Sequence, residues 1–95
     1  MLNRRPKRRY LLIRHTGQSS DIVVNAISKR FAELFGSIAA QRASIRAVRS
    51  QDSTTMVIRC ALTQLENVLV AIALTEPPVV TLDMSGSIKR LGRRN

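Results

Sequence analysis

The side chains able to act as acids, bases, nucleophiles or metal ligands are few and stand apart. His15 is the one histidine and Cys60 the one cysteine. The six carboxylates occur singly, at Asp21, Glu33, Asp52, Glu66, Glu76 and Asp83. No pair of them has the spacing that gathers ligands round a metal ion. A lone cysteine also excludes an intramolecular disulfide and a cysteine-rich zinc site. His15 has neither a nucleophile nor a carboxylate beside it and reads as a loop histidine. Cys60 alternates into the core side of a strand and reads as a buried structural thiol. Asp52 lies in a turn, where a carboxylate serves the turn's own amides. The residues therefore point to no catalytic site, no metal and no cofactor in this chain.

The abundant chemistry is cationic. Sixteen Lys and Arg stand against six Asp and Glu, giving a formal net charge of +10 and a pI near 11.7. The charge is concentrated at the ends. Arg4, Arg5, Lys7, Arg8 and Arg9 precede the first apolar run, and Lys89, Arg90, Arg93 and Arg94 close the chain. Between residues 10 and 88 bases and acids nearly cancel. Basic segments on a nearly neutral body fit a polyanionic partner, of which nucleic acid is the commonest. Of the three aromatics, Tyr10, Phe31 and Phe35, the phenylalanines fall on a helix, so only Tyr10 is available to face a base. Arginine binding to the backbone of a structured RNA therefore fits better than base stacking as the principal mode. Ser85-Gly86-Ser87 followed by Ile88-Lys89-Arg90 forms either a phosphate cradle or an ordinary turn with a solvated basic tail. A glycine frees the backbone to present amides, hydroxyls flank it, and two cations follow.

The elements that must position these residues follow from periodicity. Tyr10 to Arg14 is a short strand. Ser19 or Ser20 caps a helix over about 21–35, whose stripe is Val23, Ile27, Phe31 and Leu34 and whose stop is Gly36. Residues 44–49 and 55–60 form a hairpin across the turn 50–53. Thr63-Gln64-Leu65-Glu66 has the form of a capping box for a second helix with the stripe Leu65, Val68, Leu69 and Ile72, ended by Glu76-Pro77-Pro78. Residues 79–84 are the last strand. The order β-α-β-β-α-β is an α+β, ferredoxin-like split βαβ plan: a four-stranded antiparallel sheet with two helices on one face. A basic arm (1–9), one domain (10–88) and a basic tail (89–95) follow from it. Alternation turns Leu11, Ile13, Ile45, Ala47, Met56, Ile58, Cys60, Val80 and Leu82 towards the helices. It sets Arg14, Arg46 and Arg59 on the opposite face with Leu12 and Val57.

The longest apolar run, Val68 to Leu74, has seven residues, too few to span a membrane. Tyr10 to Ile13 is too short for the apolar region of a signal peptide, and it reads as a strand rather than an amphipathic transit helix. The expected compartment is the cytoplasm, with no membrane partner.

The chain resembles the ribonuclease P protein component 2 family, the small protein shared by archaeal and eukaryotic ribonuclease P. The resemblance rests on Arg9-Tyr10-Leu11-Leu12, on Phe35-Gly36 with Ala39-Ala40, on Thr55-Met56-Val57-Ile58-Arg59-Cys60, and on Met84-Ser85-Gly86-Ser87-Ile88-Lys89-Arg90. It implies a non-catalytic subunit of the ribonucleoprotein endonuclease that removes the 5′ leader from precursor tRNA. The RNA subunit would hold the active site and its magnesium ions. The protein would bind that RNA and pair with component 3, two copies of it meeting within a heterotetramer, and would meet precursor tRNA only indirectly. The residues expected to bind RNA are Arg4, Arg5, Lys7, Arg8, Arg9, Ser85, Gly86, Ser87, Lys89, Arg90, Arg93 and Arg94, with Arg14, Arg46 and Arg59 as sheet-face contacts. The alternative is a generic structured-RNA-binding or ribosome-associated protein of the same fold. Family members often continue into a longer C-terminal helix than residues 89–95 provide. That would leave one sheet face, with Leu12 and Val57, open to a partner.

Overall fold

The structure is a computed structural model that describes residues 7–91. Its central strand is β1 (Arg8–Arg14), flanked by β3 (Thr55–Ala61) and β4 (Val80–Ser85), with β2 (Arg46–Ser50) outside β3. The order β2-β3-β1-β4, with every neighbouring pair antiparallel, is that of the ferredoxin-like plan. Between the strands run α1 (Ser20–Phe35), α2 (Ser37–Ala43) and α3 (Leu65–Ala73).

Helix α1 forms where its periodicity predicts. Ser19 caps it, its hydroxyl accepting from the Ile22 amide at 3.4 Å, and Asp21 lies in its first turn. Val23, Ile27 and Phe31 are its buried stripe. Gly36, at φ +92°, ends it in a conformation that a side chain rarely tolerates. Residues 37–43 show no periodicity of their own. They form the short helix α2, closed by Ser44 in the left-handed region. Packing rather than propensity holds it: Ala43 is fully buried, and Ala39 and Ala40 press against the core.

The capping box at Thr63 does not form. Residues Leu62–Gln64 make a 3-10 turn, and no side chain caps α3. The chain enters α3 straight from β3 through that turn, so Thr63 never reaches the capping position. Helix α3 also stops at Ala73, short of the prolines, where the Thr75 hydroxyl donates to the Ala71 carbonyl at 2.6 Å.

The core lies between the helices and one face of the sheet. Leu11, Ile13, Met56, Ile58 and Cys60 project from the strands onto Val23, Ile27, Phe31, Val68, Ala71 and Ile72, as expected. Phe31 meets Phe35 with ring centroids 5.0 Å apart. Burial pushes the Cys60 thiol up to about 11, against the opposing charge of Arg9. His15 is buried too: its amide donates to the Thr54 carbonyl at 2.7 Å and its Nδ1 accepts from the Gly17 amide at 3.1 Å, closing the end of β1.

Two irregularities change which residues face where. In β4 the register against β1 shifts between Leu12 and Ile13, so Arg14 pairs with Val80. Val80 therefore lies on the face away from the helices and is 54% exposed, contrary to simple alternation, while the adjacent Val79 takes the core place. In β2 the register shifts between Ala47 and Arg49. Ala47 keeps the helix side, opposite Ile58, but stays exposed because β2 is an edge strand.

Candidate nucleic-acid interface

The sheet face away from the helices carries the candidate site. Cross-strand partners in an antiparallel sheet share a face and lie within side-chain reach. Across the four strands one row reads Arg46, Arg59, Tyr10 and Ser85. The next reads Arg49, Val57, Leu12 and Asp83. Arg14, paired with Thr55 and Val80, stands beyond one end, and Arg8, paired with Ala61, beyond the other. Five arginines thus share a surface to which the strands contribute a single acid, Asp83. Arg46 and Arg59 are directly opposite each other, an unfavourable arrangement that a bridging anion relieves.

Alternation correctly set Arg14, Arg46 and Arg59 on this face. It missed Arg49. Counting by twos from Arg46 turns Arg49 towards the helices, and the register shift turns it back beside Val57. The bulge has no mark in the local sequence.

Strand β1 begins at Arg8, two residues earlier than expected, so Arg8 and Arg9 belong to the sheet rather than to a free arm. The Lys7 carbonyl also accepts from the Leu62 amide at 2.9 Å. Arg9 leans over the Ser85-Gly86-Ser87 turn. A Cβ on Gly86 would come within 3.1 Å of Arg9 Nη1, so the glycine leaves room for the guanidinium. Two amides of the turn are bonded within it. The Ser85 hydroxyl accepts from the Ser87 amide at 3.1 Å, and the Ser87 hydroxyl from the Lys89 amide at 3.2 Å. Those donors are consumed internally, and what the turn presents outward is Lys89 and Arg90, both exposed. Arg4, Arg5, Arg93 and Arg94 lie outside the described residues.

After the turn the chain does not leave the sheet. Ile88–Arg90 form a 3-10 turn, and Leu91 is only 6% exposed. Val57 and Leu91 are the two buried apolar residues that stand outside the helix-side core. Ile88, Lys89 and Leu91 share a recess with Arg49, the partner of Val57. Residues 88–91, the strap, therefore reach the open face beside Arg49. Val57, expected on a bare face, is fully buried.

Elsewhere the groups are unremarkable. Among the described residues no three of His, Cys, Asp and Glu gather as metal ligands, and no helix is long and apolar enough to cross a membrane. Asp52 organises the hairpin turn: its carboxylate accepts from the amides of Thr54 and Thr55 at 2.9 and 3.0 Å. Those bonds, the Thr54 amide first, hold it below the ordinary carboxylate range.

The model of the Rpp14/Pop5 family matches residues 9–94, nearly the whole chain. The chain belongs to the Rpp14/Pop5 family. It is thus a member of a family of ribonuclease P/MRP protein subunits, components of a ribonucleoprotein enzyme. Among solved structures, a chain from the cryo-EM structure of yeast ribonuclease MRP is similar in fold. It has a TM-score of 0.60 at 13% identity, with 90% of this chain and 79% of that chain covered. No curated protein matches the chain significantly.

Proposed function

We propose that this Rpp14/Pop5 member is a non-catalytic subunit of ribonuclease P, corresponding to protein component 2, which supports removal of the 5′ leader from precursor tRNA. The observation that carries the reading is the open sheet face: Arg8, Arg14, Arg46, Arg49 and Arg59 on one surface, extended by Lys89 and Arg90. The paired strands fix the backbone positions that carry those guanidiniums, and arginine forks suit phosphate oxygens. Neutralising the phosphates lets a catalytic RNA compact with fewer bound cations. The magnesium ions of the reaction belong to the RNA subunit. The terminal arginines Arg4, Arg5, Arg93 and Arg94 add long-range attraction. The helix layer is left for protein, with component 3 as the partner and a second copy of this chain within a heterotetramer. The compartment is the cytoplasm.

The test is binding of the chain, alone and with component 3, to ribonuclease P RNA and to an unrelated RNA of matched size at two salt concentrations. The proposal expects preference for ribonuclease P RNA, increased by the partner. Equal binding to both, governed by salt alone, reduces the chain to a generic RNA-binding protein. Preference for the RNA of ribonuclease MRP reassigns it within the family.

A further inference from the structure

The strap and the bulge together make a site that neither makes alone. Arg49 stands on the open face only because of the register shift in β2, and Ile88, Lys89 and Leu91 arrive there only because the chain turns back after β4. Between them lies a recess of about 640 Å³. Among the described residues its lining pairs two cations, Arg49 and Lys89, with two aliphatic side chains, Ile88 and Leu91, and includes no acid. The recess on the helix side has a different character. It is lined by Ala26, Lys29, Arg30, Glu33 and Glu76, and Arg30 is already paired with Glu33 at 3.2 Å.

We propose that the recess between Arg49 and the strap receives one unpaired nucleotide of a single-stranded RNA segment. This inference rests on the reading of the chain as an RNA-binding subunit and names the form of RNA that this part of the face takes. The base lies against Ile88, above the buried Leu91, and its phosphate lies between Arg49 and Lys89. The neighbouring row then carries the strand on, with Arg46 and Arg59 on backbone phosphates and Tyr10 beside them. The recess is large enough to admit one nucleotide. The mixed lining selects against a duplex, because paired bases stay stacked inside the helix and present only phosphate and sugar to such a recess. Charge complementarity decides the occupant. An apolar protein segment would leave two guanidinium and ammonium groups facing it without compensation, whereas each nucleotide brings its own anion.

The test uses the full chain, a labelled single-stranded RNA of about ten nucleotides, and the same strand annealed to its complement, compared at equal phosphate concentration. The single strand should bind about tenfold more tightly than the duplex. Arg49→Ala with Lys89→Ala, both exposed positions, should bring the two affinities together, and Ile88→Ser should do so without changing the salt slope. Equal affinities in the parent chain, or a preference that survives Arg49→Ala with Lys89→Ala, overturn the proposal and leave the subunit reading standing. Binding to neither RNA overturns both. Self-association that Arg49→Ala with Lys89→Ala abolishes, with RNA preference unchanged, assigns the recess to a second copy and overturns the proposal.

Discussion

The two faces of one sheet solve opposite problems. On the helix side β1 and β3 contribute Leu11, Ile13, Met56, Ile58 and Cys60, all buried under three helices. On the other side the same strands contribute Arg8, Tyr10, Arg14, Arg59 and the apolar pair Leu12 and Val57. The first face is specified by packing, where volume and shape decide. The second is specified by charge, with Val57 buried at its centre and the strap beside Arg49. Strand alternation lets a short chain do both, because each strand is read twice. Stability and RNA affinity should therefore be separable by mutation.

The largest effect is expected from the packed face. Phe31→Ala removes a fully buried ring and should cost about 3–5 kcal/mol in denaturant unfolding. RNA affinity per folded molecule should stay unchanged. Next comes the strap. Leu91→Ala should cost about 2 kcal/mol, because it truncates a side chain that is only 6% exposed. It should also weaken RNA binding, unlike Phe31→Ala, since Ile88 and Lys89 lose their seat.

A pH titration sharpens the same contrast. The folded pKa of Cys60 is raised from 9.0 to about 11, so its contribution to stability is complete below pH 9 and is lost as pH rises towards 11. Thiol reagents should accordingly modify Cys60 slowly until the chain unfolds, with or without RNA. For Asp52 the sign is reversed. Its pKa is lowered, so the turn's contribution is present above the ordinary carboxylate range and lost as pH falls through the lowered value. The smallest effect should come from Gly86→Ala. The added Cβ meets only the flexible end of Arg9, so stability should change by no more than about 0.5 kcal/mol. RNA affinity should stay unchanged, because Arg9, paired with Cys60, lies on the helix side of the sheet.

The packed face was legible in the sequence, and the charged face was so only in part. Val23, Ile27 and Phe31 announce α1 by spacing, and the β1 and β3 core residues follow from alternation, because burial imposes a period on the residue types. The bulges leave no such trace. Arg49 and Val80 fall on the open face because one strand gains a residue against its neighbour, and nothing in Ala47-Val48-Arg49 or Leu82-Asp83 marks it. Helix α2 was missed because seven residues are too few to show a period and no side chain caps it. Thr63 and Glu66 show the opposite error, a good local motif overruled by the path the chain takes out of β3. The strap was invisible for a further reason: Leu91 sits among basic residues, where one apolar side chain gives no pattern, and only the tertiary fold shows what it covers.

On the proposed reading RNA binds the open face of the sheet and not the helix layer. Two variants with equal charge loss test it: Arg46→Ala, Arg49→Ala and Arg59→Ala on the open face, against Lys29→Ala, Arg30→Ala and Arg42→Ala on the helices. Each is measured for the salt dependence of binding to ribonuclease P RNA. The open-face variant should lose affinity and flatten the slope by roughly three counterions, while the helix variant keeps both near the parent values. Equal losses from the two variants would contradict the account, because net charge rather than this face would then govern binding.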